Sequence, residues 1–60
     1  MKRTELLRRL KKAGFTLEEG ANHTKVLDAS GKVISIVGRH TEILETMVKV
    51  IEKQTGVKLR

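Results

Sequence analysis

Glycine cuts this chain into pieces too short to hold more than one structural element each. Gly14, Gly20, Gly31, Gly38 and Gly56 are spread over 60 residues, and proline is absent. Glycine and the small polar residues beside it must therefore supply the chain breaks. Between the breaks the hydrophobic period changes, and that change assigns the elements.

Before Gly14 the period is helical. Leu6, Leu7, Leu10 and Ala13 fall on one stripe, with Arg8, Arg9, Lys11 and Lys12 on the other side. The spacing predicts a helix over Thr4 to Ala13, capped by Thr4 and closed by a left-handed Gly14. After Gly14 the period drops to two. Phe15 and Leu17 alternate with Thr16 and Glu18 in a first strand, "HTKVLD" forms a second, and "KVISIV" a third. "GAN" reads as a turn whose Gly and Asn tolerate positive φ, and "DASG" as a type I-like turn. Such short connections make the strands an antiparallel meander. From Thr41 to Thr55 the helical period returns. Ile43, Leu44, Met47, Val48, Val50 and Ile51 share one face, Glu42 and Glu45 sit near the start, and Gly56 ends the element. The fold class is α+β, in the order α-β-β-β-α. Two amphipathic helices need one apolar sheet face, so both are expected on the same side of the three-stranded sheet.

A chain of this length makes one domain, residues 1–60, with a small core. Cysteine is absent and histidine occurs only twice, so neither disulfides nor a structural zinc site is expected, and no cofactor is implied. No stretch approaches the ~20 apolar residues of a membrane span. "MKRTELLRRL" is basic without a following apolar run, which argues against a secretory leader. A soluble cytoplasmic protein is expected. Thirteen Lys and Arg against seven Asp and Glu give a formal charge of +6. A field of that sign suits nucleic acid, through phosphate contacts and counterion release, or an acidic protein. Phe15 is the only aromatic residue, which excludes modules that stack bases on aromatic faces.

His23 stands just past the Gly20 turn at the mouth of the second strand. Parity puts Thr24 and Val26 on one face and His23, Lys25 and Leu27 on the other. On the third strand Ile34 and Ile36 are the expected inward pair, with Val33, Ser35 and Val37 outward. With Val26 under the helices, His23 and Lys25 point away from them. An imidazole titrating near neutral pH can take and give protons there, and it can equally be an exposed residue that tidies the turn.

The order α-β-β-β-α with a basic first helix resembles the double-stranded-RNA-binding-domain-like fold. "GANH" (Gly20 to His23) followed by "TKV" looks like the glycine-x-x-histidine motif of the HicA toxins, the mRNA interferases of HicA–HicB toxin–antitoxin modules. Arg39-His40 matches that family's basic loop before the last helix. "IEKQTGV" resembles its closing pattern, and "MKRTELLRRLKKAGF" its opening. The chain departs from the pattern at Gly38, where the family commonly has proline.

The resemblance covers nearly the whole chain. It implies a metal-independent endoribonuclease with His23 catalytic. It also implies mRNA as substrate and a HicB-type antitoxin covering the His23 face, the chain being a monomer alone and a hetero-oligomer with that partner. Lys25, Arg39, His40 and the turn from Gly20 to Asn22 are candidate phosphate supports. Lys2, Arg3, Arg8, Arg9, Lys11, Lys12 and Lys32 are candidate RNA-backbone contacts. The competing readings are a non-catalytic double-stranded-RNA-binding module and a module for an acidic protein partner.

Overall fold

The computed structural model describes residues 1–59. Helix α1 spans Arg3–Lys12, strands β1, β2 and β3 span Thr16–Glu19, His23–Leu27 and Val33–Gly38, and helix α2 spans Glu45–Thr55. The sheet is antiparallel in the order β1-β2-β3, so the α+β fold and its element order are as expected. Both helices cover one face. Leu6 and Leu10 of α1, Val48 and Ile51 of α2, and Val26 and Val37 of the sheet form a single buried cluster. Among the described residues no helix is long and apolar enough to cross a membrane.

Local chemistry explains most boundaries. Gly14, at φ 104°, takes the left-handed turn after α1, and Gly56, at φ 74°, closes α2 with its N–H on the Glu52 carbonyl. The "DASG" turn forms as expected. Gly31 N donates to the Asp28 carbonyl at 3.0 Å, and the Asp28 carboxylate accepts from the amides of Ser30 and Lys32. Those bonds, led by the one from the Ser30 hydroxyl, hold the Asp28 carboxyl below its ordinary range.

The chain departs from its sequence pattern at both helix starts. The cap of α1 is Lys2, with no side-chain bond, not Thr4. Helix α2 begins at Glu45, after a non-helical stretch over residues 41–44. That stretch pairs with the N-terminal residues. Arg3 N donates to Thr41 O at 2.8 Å and Ile43 N to Met1 O at 2.7 Å, while the terminal ammonium lies 3.4 Å from Glu42. Backbone groups engaged in such a bridge cannot also enter a helix.

The other departure is on β3. Ser35 and Val37 are the buried pair and Ile36 is 48% exposed, the reverse of the expected parity. Val26 faces Ser35 and Leu27 faces Val33, which leaves Ile34 as an extra, bulged residue on β3. Ser35 tolerates burial because its hydroxyl donates to Gln54 Oε1 at 2.7 Å. Leu59 adds a core residue beyond the helical pattern. The chain folds back after Gly56, Leu59 N donates to the Glu52 carboxylate at 2.7 Å, and its side chain is buried.

Candidate active site

The β1–β2 turn places His23. Gly20 N donates to the His23 carbonyl at 2.7 Å, closing a hairpin over Ala21 and Asn22. Neither Gly20 nor Asn22 has positive φ, in contrast to the expected turn. Glycine is favoured sterically instead, because a Cβ at Gly20 would stand 3.0 Å from the His23 carbonyl oxygen, which would have to give by a few tenths of an ångström. The glycine-to-histidine spacing thus has a physical cause: one backbone bond closes the turn, and a Cβ at Gly20 would crowd the carbonyl that accepts it.

His23 and Lys25 are exposed on the face away from the helices, as parity predicts. His23 lies opposite Gly38, and Lys25 lies between Glu18 of β1 and Ile36 of β3. Arg39 reaches across the same end of the sheet. Its guanidinium donates to the Gly20 carbonyl at 3.0 Å and stands 3.9 Å from Glu19. The structure therefore puts Gly20, Asn22, His23 and Arg39 at one end of the sheet, the hairpin mouth, with Lys25 two residues along β2 on the His23 face.

Beneath that mouth, on the helix side, Arg3 joins the ends of the three strands. Its Nε donates to the Gly38 carbonyl at 3.0 Å, and its Nη2 reaches Glu19 at 3.2 Å and the Thr24 hydroxyl. The Thr24 hydroxyl in turn donates to Glu19. That bond first, with the Arg39 and Arg3 charges adding, holds the Glu19 carboxyl below its ordinary range. Arg3 is engaged inside the fold, with only 16% of its side chain exposed, and so differs from the exposed surface cations with which its sequence position groups it. Its role gave no local signal, because only the fold brings residues 3, 19, 24 and 38 together.

The remaining cations scatter. Lys2 is exposed beside Arg3 at the hairpin end. Lys32 stands just before β3, at the opposite end of the sheet. Arg8, Arg9, Lys11 and Lys12 lie on the outside of α1, with the sheet between them and His23. Arg8 and Arg9 both hydrogen-bond Glu5, at 2.6 to 3.1 Å, and hold its carboxyl down at about 2. Lys58, beyond Gly56 and without a sequence signal, joins Arg8, Arg9 and Lys12 around a shallow basic hollow of about 390 Å³. His40 turns to another side, lining a groove with Glu42, Ile43 and Leu44. Among the described residues no three His, Asp or Glu side chains converge to hold a metal ion.

Compared with models of protein families, with curated proteins and with solved structures, the chain gives no match.

Proposed function

We propose that this chain is a metal-independent endoribonuclease, the toxin of a type II toxin–antitoxin pair of the HicA kind, acting on mRNA in the cytoplasm. The observation that carries the reading is the hairpin mouth. An exposed imidazole stands on a hairpin closed by the Gly20–His23 backbone bond, on the same strand face as Lys25 and at the same sheet end as Arg39, whose guanidinium holds the Gly20 carbonyl. The glycine-x-x-histidine resemblance points to the same residue.

RNA carries its own nucleophile. His23 takes the proton of the 2′-hydroxyl while the 2′ oxygen bonds to phosphorus. The imidazolium then gives that proton to the departing 5′ oxygen as the P–O5′ bond breaks. The products are a 2′,3′-cyclic phosphate and a free 5′-hydroxyl. Such a base and acid contributes roughly 10²–10⁴-fold. Lys25 and Arg39 offset charge growing on the phosphate oxygens, and the backbone of the Gly20 turn lets a phosphate approach closely. His40 takes no part in this scheme, since it lines the groove with Leu44. The partner is an antitoxin of the HicB kind that covers the exposed His23 face and excludes RNA.

End-group analysis with a substituted substrate tests the chemistry. An all-ribose oligonucleotide is cut to a 2′,3′-cyclic phosphate, and the same oligonucleotide with one 2′-deoxy residue resists at that position alone. Cleavage at the deoxy position contradicts the mechanism. Salt-sensitive duplex binding without cleavage supports the double-stranded-RNA-binding reading instead.

A further inference from the structure

A second feature, unrelated to His23, lies along the open edge of β3. Val33 and Ile36 of β3 and Leu44, Met47 and Val50 around α2 are all more than 40% exposed. They line one continuous groove. A hollow of about 580 Å³ runs from Gly38 and His40 to Met47, and a second of about 300 Å³ continues from Ile36 and Met47 to Val33, Val50 and Gln54. Ile36 and Met47 border both hollows and so mark the centre. Contiguous apolar surface of this kind on a small domain marks an interface. β3 pairs only with β2 among the strands, so its outer edge carries unpaired backbone groups.

We infer that this groove is the interface of a symmetric dimer, its occupant a second copy of the chain packed antiparallel across the β3 edge. Charge favours this partner. Residues 32–54 carry four basic side chains (Lys32, Arg39, Lys49, Lys53) and three acidic ones (Glu42, Glu45, Glu52), so the segment holds a net charge of only +1 in a chain of net charge +6. The α1 cluster stands beside β1, away from the β3 edge, and does not repel a second copy there. The groove is also polar end to end. Glu42, 63% exposed beside its own terminal ammonium, lines the end near Gly38, while Lys32 and Lys53 are the sequence neighbours of the lining residues Val33 and Gln54 at the other end.

A twofold axis through Ile36 and Met47 sets each Glu42 against the other copy's Lys32 and Lys53. It seats Leu44, 70% exposed, toward the hollow bounded by Val33 and Val50. This is the self-complementarity that an isologous interface requires. The Ile34 bulge limits strand pairing to Ser35–Gly38, so side-chain packing carries most of the contact. The inference departs from the monomer that the resemblance implies, and it does not depend on the nuclease reading.

Sedimentation velocity over a concentration series tests it. The wild-type mass is expected to rise from one chain to two. Met47→Glu raises the dissociation constant by about a hundredfold, as at a central interface residue, with an unchanged circular dichroism spectrum because Met47 is exposed. Glu42→Lys weakens the dimer, and adding Lys53→Glu restores it. A wild type of single-chain mass at every concentration overturns the inference. So does a dimer that Met47→Glu and Glu42→Lys both leave intact.

Discussion

The backbone of His23 is held by a glycine three residues earlier, whose N–H donates to its carbonyl at 2.7 Å. Gly20→Ala forces the His23 carbonyl to yield, since the new Cβ starts 3.0 Å from it. The expected cost is about 1 kcal/mol of stability, with displaced NMR resonances at His23 and Thr24. An unshifted spectrum contradicts the steric role. Parity alone read the exposure of His23 and Lys25 correctly, because Val26 alternates with them and packs under the helices; the residues facing Thr24 and Val26 are Val37 and Ser35, which period two on β3 puts outward. Arg3 was not legible in the same way. Its bonds to Glu19, Thr24 and Gly38 join positions up to 35 residues apart.

Glu5 yields a prediction at the same scale. Its carboxyl is lowered from an ordinary 4.5 to about 2 by hydrogen bonds from Arg8 and Arg9. A depressed carboxyl adds stability that is full above its unfolded pKa and lost as pH falls through the folded one. Stability therefore declines between about pH 4.5 and about 2 as this group protonates. Exposure and salt make the effect small. Glu5→Gln should flatten that decline in urea titrations taken at several pH values; an unchanged slope contradicts the assignment.

Among the elements, β3 separates what pattern can and cannot reveal. "VISIV" carries isoleucine or valine on both faces, and its one polar residue, Ser35, reads as outward in period two yet is buried with its hydroxyl on Gln54. The bulge at Ile34 then settles the register, and a bulge leaves no reliable trace in such a run. The structure predicts that Val37→Ala costs about 2 kcal/mol or more through a core cavity. Ile36→Ala costs under about 0.5 kcal/mol when measured where single chains dominate. The reverse ranking in chemical denaturation would restore the parity read from sequence. Helix α2 was legible in its body and not in its first turn. Residues 41–43 follow the helical period, yet they pair with Met1 and Arg3, a contact between the two ends of the sequence.

At the scale of the molecule, charge is divided by the sheet. His23 and Arg39 stand at the hairpin mouth, with Lys25 two residues along β2, while the α1 cluster stands on the helix side and shares Arg8 and Arg9 with Glu5. The net charge is legible in composition; its division is not, because it depends on which face the helices cover. Under the proposed function, RNA crossing the outer face meets Lys25 as a phosphate contact. Lys25→Ala should then reduce the salt dependence of RNA binding by about one unit of log–log slope, and Lys32→Ala, at the far end of the sheet, should leave it unchanged. Equal effects of the two substitutions contradict a site at the hairpin mouth.

The most direct measurement is cleavage of a long single-stranded RNA in excess EDTA by the purified protein beside His23→Ala. His23 is exposed, so the substitution leaves the core intact. Cutting by the wild type, and none by a folded His23→Ala that still binds the RNA, is the predicted result. Equal cutting by both proteins, or binding without cutting by either, contradicts a nuclease centred on His23.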